Sequence, residues 1–231
     1  MPSVARARTS RQERFEFTSW GGARVGAGRK RSAPRPRVAH TAREPLAARF
    51  PVHVTLRLAP GLPSLRRERT HRALLRALAL ASAKAGFRCV HYSAQSNHVH
   101  LVCEAHGKEM LSRGLQGLCV RLARGLDRLW SRAGRVFDDR YHARILKSPR
   151  EVRHALGYVL RNAHHHGLKL ASGLDPFSSS AWFDGWRRPP SPAARHDASR
   201  AALPLARTLL LERGWRRHGL LDLAGTPGAP A

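Results

Sequence analysis

The sequence predicts a mixed α+β fold built on one antiparallel sheet with helices on one face. Apolar and polar residues alternate over several short stretches, which is typical of half-buried strands. Longer stretches repeat leucine and alanine every three or four residues, as amphipathic helices do. The resulting order is strand, helix, strand, strand, helix, strand, helix, which is that of the ferredoxin-like, or split βαβ, plan.

The first half of this pattern supplies a strand, a helix and a hairpin. The alternating stretch 52–58 predicts the first strand, and the prolines and glycine after it end it. Ser64 is the predicted cap of a helix of about 20 residues that ends at Gly86. Strands over 87–94 and 98–104 then form a hairpin around a short turn.

The second half supplies a leucine-rich helix, a strand and a third helix. Leucines recur at spacings of three and four over 108–132, which predicts an amphipathic helix, and a strand-like stretch over 136–146 follows. The pair Ser148–Pro149 suits the start of a third helix, which is predicted to run to Gly167. Beyond it, a loop rich in Ser, Pro, Trp and Arg precedes one short helix over 201–213.

We therefore expect a basic, largely irregular N-terminal arm over 1–49, a folded domain over 50–170, and an irregular extension over 171–231 with one short helix. The first 50 residues carry twelve Arg and Lys against three Glu, a net charge of +9. Glycines and prolines keep the arm irregular. We expect it to lie in a groove or along a phosphate backbone, with Arg29, Lys30 and Arg31 as candidate DNA contacts.

The charge of the chain points to a polyanionic partner. Lys and Arg number 42 against 15 Asp and Glu, a formal net charge of +27. So large a charge repels itself in a compact fold, which makes nucleic acid the expected partner. No apolar run is long enough to cross a membrane, no secretory leader is visible, and the three cysteines form no CxxC pair. We expect reduced, intracellular thiols and no membrane partner.

The most informative string is NHVHLV over 97–102. Residues i and i+2 of a strand point to the same face, so His98 and His100 are predicted to project side by side. Two neutral imidazoles held in this way form half of a site for a divalent metal, and two surface histidines without a metal are the alternative. The later run His164–His166 is interpreted differently, because histidines at a helix C-terminus complement the helix dipole.

A tyrosine lies on the polar side of the third predicted helix. Positions i and i+4 share a helix face, so Tyr158 and Asn162 are predicted neighbours. The tyrosine is either half-buried with its hydroxyl in water or a nucleophile. A phenol ionises at about pH 10, so it needs help before it attacks phosphorus. A metal that polarises the phosphate would provide this help, with the carbonyl oxygen of Asn162 as a ligand.

Arginines outside the arm are further candidates for DNA contacts. Arg121, Arg124 and Arg128 line one face of the leucine-rich helix and suit a phosphate track, although a solvated charged face has the same pattern. Arg140, in the string DDRYH, is a candidate phosphate contact, and a salt cluster at a strand edge is the alternative.

Three motifs together resemble one family. NHVHLV on a central strand, FDDRYH before a helix and YVLRN within that helix are similar to motifs of the single-tyrosine HUH transposases, and most closely of the REP-associated tyrosine transposases. The resemblance implies a ferredoxin-like antiparallel sheet. It also implies His98 and His100 as metal ligands, Tyr158 as the nucleophile and Asn162 as an amide ligand.

The resemblance covers residues 50–170 and departs from the family at one point. Relatives commonly have Asn-Pro after the tyrosine, whereas Ala163 follows Asn162 here, so the helix can continue. The family implies a bacterial, cytoplasmic, nucleoid-associated homodimer with Mg²⁺ or Mn²⁺ as cofactor. Tyr158 would attack single-stranded or hairpin DNA, leaving a 5′-phosphotyrosyl link and a free 3′-hydroxyl.

Two other functions compete with this interpretation. One is a non-catalytic, domesticated, sequence-specific nucleic-acid-binding protein, because the charge and the sheet alone predict binding. The other is a histidine-based phosphoesterase acting on RNA. That function would need a paired His-x-Thr/Ser motif, which we do not expect in this chain.

Overall fold

Four strands form an antiparallel sheet in the structure, a computed structural model that describes residues 43–168, 170, 173–191 and 203–223. The strands are β1 (Val52–Arg57), β2 (Phe87–Ala94), β3 (His98–Ala105) and β4 (His142–Ile145), in the order β2-β3-β1-β4. The helices are α1 (Glu68–Ser82), α2 (Lys108–Leu129), α3 (Pro149–Leu160), α4 (Asn162–His165) and α5 (Leu209–Glu212), with 3₁₀ turns at Ser180–Trp182 and Gly214–His218. The ferredoxin-like prediction is confirmed.

Helices cover both faces of the sheet. α1 and α2 pack on one face, where Val54 and Leu101 share a buried cluster with Leu115. α3 packs on the other face, in a second buried cluster that contains Val102 and Leu156. Successive residues of a strand point to opposite faces, so β3 presents apolar residues such as Val99 and Leu101 to α1 and α2 and presents Val102 to α3. Its other side chains on the α3 face are polar. The predicted arrangement on one face therefore holds for α1 and α2, while α3 lies opposite them.

Two predicted boundaries near the sheet are wrong. α1 begins at Glu68 rather than after Ser64, because the Ser64 hydroxyl accepts a hydrogen bond from the backbone N–H of Arg66 and forms a local turn instead. The strand-like stretch 136–146 contributes only the four residues of β4. The residues before β4 bend away from the sheet after a single bridge between Leu58 and Phe137.

α3 begins with a capping box and ends at a break. The Ser148 hydroxyl accepts a hydrogen bond from the backbone N–H of Glu151 (3.2 Å), and the Glu151 carboxylate accepts one from the backbone N–H of Ser148 (2.9 Å), which confirms the predicted cap. The helix stops short of the predicted Gly167. Arg161 leaves the helical region (φ −109°, ψ 14°), and its guanidinium donates to the carbonyl of Gly157.

The C-terminal ranges 173–191 and 203–223 pack on the β2 and α3 side of the sheet. Trp215 is 1% exposed and shares the buried cluster of α3. The Glu104 carboxylate on β3 accepts hydrogen bonds from the backbone N–H groups of Arg207 and Thr208 (3.0 and 2.8 Å). Among the described residues of the short helix expected over 201–213, only the four residues of α5 are helical. Within the described ranges, no helix combines the length and the apolar character that crossing a bilayer requires.

Candidate active site

The predicted histidine pair and the predicted tyrosine line one cleft. His98 and His100 from β3, Thr55 from β1 and Tyr158 from α3 contribute to the walls of this cleft, which has a volume of about 660 Å³. The rings of His98 and His100 meet edge-on, with centroids 4.9 Å apart and planes at 85°. The Tyr158 ring meets that of His100 in the same way, at 5.0 Å and 82°. Strand alternation thus places the imidazoles toward α3, where the tyrosine closes over them.

Hydrogen bonds orient both imidazoles of the pair. Nδ1 of His98 lies 2.9 Å from Oδ1 of Asn97, and Nδ1 of His100 lies 3.1 Å from Oγ1 of Thr55. An amide oxygen only accepts, so Nδ1 of His98 carries the proton and Nε2 keeps its lone pair. Nε2 of His100 is buried and has no hydrogen-bond partner among the described residues. Oxygen partners at Nδ1 with an available Nε2 are the usual arrangement of metal-binding histidines.

Both imidazoles are held in the neutral form. Burial, with a contribution from His53, lowers the pKa of His100 from 6.5 to about 2. Burial, with a contribution from His166, lowers the pKa of His98 to about 4. Neutral imidazole is the form that ligates metals. In the described part of the chain, no three His, Cys, Asp or Glu side chains are placed to hold one metal ion. A metal ion at the histidine pair would therefore need a ligand of another type.

Asn162 is buried beside the break rather than exposed on the wall of the cleft. The residues that line the cleft do not include it, and its side chain is 0% exposed. The prediction that Tyr158 and Asn162 share one continuous helix is wrong, because Arg161 separates α3 from α4. Both amide atoms of Asn162 lack a hydrogen-bond partner among the described residues. A buried unsatisfied amide is costly, and its oxygen is a suitable ligand for a hard cation. By chemistry, this orphaned oxygen and Nε2 of His100 fit a divalent metal.

His53 belongs to this site, although it was not among the predicted site residues. Nε2 of His53 lies 3.2 Å from Nδ1 of His100, and its ring centroid lies 5.8 Å from that of Tyr158. The signal was the string His53-Val54-Thr55 on the first strand, which places two polar side chains on one face. It is also a His-x-Thr motif, so the expectation that the chain lacks one is wrong.

His166 also belongs to this site, although it was not predicted to. The run His164–His166 does lie at the C-terminus of a helix, since α4 ends at His165, as the dipole interpretation requires. His166 in addition lines the cleft, and its ring centroid lies 5.5 Å from that of His98. The turn after α4 thus brings a further imidazole to the histidine pair.

The predicted arginine track lies away from the cleft. Arg121, Arg124 and Arg128 line a groove of about 650 Å³ between α1 and α2, on the helices that cover the opposite face of the sheet. α1 contributes a second row with the same i, i+3, i+7 spacing, formed by Arg69, Arg72 and Arg76. Arg140 is exposed and is not among the residues that line either cavity. Arg29, Lys30 and Arg31 lie outside the described residues.

Comparisons with known proteins support the fold. No family model matches the sequence, and no curated protein matches it. Among solved structures, that of a REP-associated tyrosine transposase bound to a REP hairpin is similar, with a TM-score of 0.50 and 16% sequence identity. The similarity covers 62% of this chain and 82% of the other. At this identity, the chain shares the α+β fold of that transposase.

Proposed function

We propose that the chain is a metal-dependent transposase that binds single-stranded or hairpin DNA and nicks and joins it through a 5′-phosphotyrosine intermediate. The observation that carries the proposal is the edge-on contact of Tyr158 with His100, at 5.0 Å between ring centroids, in one cleft with His98. The fold similarity to a transposase bound to a hairpin supports it. The net charge of +27 favours a nucleic-acid partner.

Three residues would hold the metal in this proposal. His98 and His100 would ligate through Nε2, and Asn162 would offer its amide oxygen. When bound, Mg²⁺ or Mn²⁺ would polarise the scissile phosphate and offset the charge that develops on it. The chain's own contribution is orientation, because Asn97 and Thr55 hold the two Nδ1 atoms and leave the Nε2 atoms available.

Tyr158 supplies the nucleophile. Its hydroxyl oxygen attacks the phosphorus and gives its proton to solvent, while the bond between phosphorus and the 3′-oxygen breaks and the leaving 3′-oxygen takes up a proton from solvent. The products are a 5′-phosphotyrosyl ester and a 3′-hydroxyl on the other DNA end. The ester keeps the phosphate activated, so a second 3′-hydroxyl can attack it, release Tyr158 and join the strands.

An adduct experiment tests the proposal. Native protein and labelled hairpin DNA with Mn²⁺ should give a complex that survives SDS, and Tyr158→Phe should give none. Tyr141→Phe is the matched control, because Tyr141 lies outside the cleft and stacks under Arg43, with 3.8 Å between the guanidinium carbon and the ring centroid. Equal adduct yields from native protein and Tyr158→Phe would rule out Tyr158 as the nucleophile.

Cleavage and binding experiments separate the alternative functions. The His-x-Thr motif beside the histidine pair favours a phosphoesterase that uses two imidazoles as acid and base. Such groups work best with a pKa near the operating pH, whereas burial lowers the pKa of His53 to about 4 and that of His100 to about 2. RNA cleavage that persists in the presence of a metal chelator would nevertheless favour the phosphoesterase.

Binding of nucleic acid that weakens with salt, without cleavage in the presence of any metal, would favour a non-catalytic protein. Sedimentation with and without DNA tests the expected homodimer.

A further inference from the structure

We infer that His53 is a positioning residue: it holds the His100 imidazole with Nε2 toward the cleft and restrains the ring of Tyr158. The inference rests on the proposed function and names a residue that none of the motifs carrying the resemblance contains. It follows from strand register, a hydrogen bond and a cluster of three rings.

Strand register places His53 beside His100. β1 and β3 are antiparallel, with Thr55 directly opposite His100 and His53 opposite Val102. His53 and His100 are therefore diagonal neighbours on the α3 face of the sheet, within reach of each other's rings. Their contact is built into the two central strands of the sheet, which hold it more rigidly than a loop would.

Two side chains of β1 converge on one nitrogen. Nε2 of His53 lies 3.2 Å and Oγ1 of Thr55 lies 3.1 Å from Nδ1 of His100. If Nδ1 carries the proton, His53 and Thr55 are its acceptors, and Nε2 of His100 keeps its lone pair. The opposite tautomer would leave an N–H at Nε2, which is buried without a partner among the described residues and could not then ligate a metal. With the proton on Nδ1, the β1 pair accepts from that nitrogen and leaves the Nε2 lone pair of His100 available, which is the tautomer that the site needs.

Three rings contact one another in pairs. The centroids of His53 and His100 are 5.3 Å apart, those of His53 and Tyr158 are 5.8 Å apart, and those of His100 and Tyr158 are 5.0 Å apart. His53 touches both of the other rings from the side of β1. A smaller or differently shaped residue there would remove one contact from each of these two rings.

His71, whose pKa burial lowers as it does that of His53, provides the matched control for substitutions of His53. His71 on α1 is buried, and its Nε2 lies 3.0 Å from the Tyr92 hydroxyl, in the core on the opposite face of the sheet. Burial lowers the pKa of both His53 and His71 to about 4. Replacing either removes an enclosed, neutral imidazole, but only His53 contacts the cleft residues.

Two measurements on the full-length protein test the inference. Nitrogen-15 NMR of the metal-free protein reports the His100 tautomer, and calorimetry with Mn²⁺ alone reports affinity. We expect His100 to carry its proton on Nδ1 in native protein. We expect His53→Leu to lower Mn²⁺ affinity by about 10- to 100-fold, and His53→Gln, which keeps an acceptor, to restore most of it. His71→Leu should lower the melting temperature and leave Mn²⁺ affinity unchanged.

The outcomes distinguish this inference from the proposed function. A native His100 protonated on Nε2, or a folded His53→Leu protein with native Mn²⁺ affinity, would overturn the inference. If His53→Leu does not fold, the native tautomer and the His53→Gln affinity decide in its place. A native protein that forms no adduct, yet keeps its His100 proton on Nδ1 and loses it there in His53→Leu, would overturn the proposed function while the positioning role stands.

Discussion

Nε2 of His71 on α1 lies 3.0 Å from the hydroxyl of Tyr92 on β2, a buried hydrogen bond between helix and sheet. Burial lowers the pKa of His71 from 6.5 to about 4 and raises the pKa of Tyr92. Both groups are therefore neutral at physiological pH. The core of this basic protein thus contains an imidazole that cannot take up a proton without loss of stability.

Acid should destabilise the protein through His71. The unfolded chain protonates this imidazole near pH 6.5, whereas the folded chain keeps it neutral down to about pH 4. The unfolded state binds more protons in this window, so the free energy of unfolding falls as pH falls. The full shift corresponds to about 3 kcal/mol. His71→Gln cannot titrate. Between about pH 7 and about pH 5, where only part of the shift is expressed, urea unfolding should therefore show a loss about 2 kcal/mol smaller than in native protein. Equal losses would contradict this account.

Two glycines of α2 should respond oppositely to alanine. A Cβ on Gly114 would overlap the Phe87 ring, so we expect Gly114→Ala to destabilise the protein by about 2 kcal/mol. A Cβ on Gly125 would lie 3.8 Å from that of Ala73, an ordinary contact. Gly125→Ala should therefore stabilise the helix by about 0.5–1 kcal/mol. Thermal unfolding of both variants measures these changes in stability. If Gly114→Ala is more stable than native protein, the Phe87 ring on β2 moves to accommodate the added methyl group.

The sequence patterns predicted those features of the fold and the site that depend on residues close together in the chain. The positions of His98 and His100 follow from two-residue strand alternation, and the start of α3 follows from its cap. Contacts across the chain were not predictable. His53 meets His100 only through the register of β1 and β3, 47 residues apart. The break before Asn162 is held by the Arg161 guanidinium, which donates to the Asp222 carbonyl, 61 residues away.

The groove between α1 and α2 should bind nucleic-acid phosphates. Its six arginines form two rows, and each removed phosphate contact should reduce the slope of log affinity against log salt by about 1. We expect the double variant Arg124→Ala/Arg128→Ala to reduce it by about 2. Arg113→Ala is the control, since Arg113 is exposed on the same helix outside the groove. Fluorescence anisotropy with hairpin DNA measures the slope for each variant. If the double variant has the same slope as native protein, the groove does not contact DNA phosphates.

We expect Asn162 to lower the stability of the metal-free protein and to strengthen metal binding. Its amide is 0% exposed and has no hydrogen-bond partner for either atom among the described residues, so the metal-free protein bears the cost of an unsatisfied polar group. Asn162→Leu has a similar shape and no polar atoms, so we expect it to raise the free energy of unfolding of metal-free protein by about 1–2 kcal/mol. It should also weaken Mn²⁺ binding, because an amide ligand is lost.

The two effects separate a ligand from a structural residue. Chemical unfolding in the presence of a chelator measures the first, and calorimetry with Mn²⁺ measures the second. A variant that is more stable and binds Mn²⁺ as tightly as native protein would remove Asn162 from the site. If Asn162→Leu is less stable than native protein, the Asn162 amide makes hydrogen bonds in the metal-free protein and is not unsatisfied there. A protein that gains stability as it loses the metal is the expected result, because binding sites keep polar groups that folding alone would exclude.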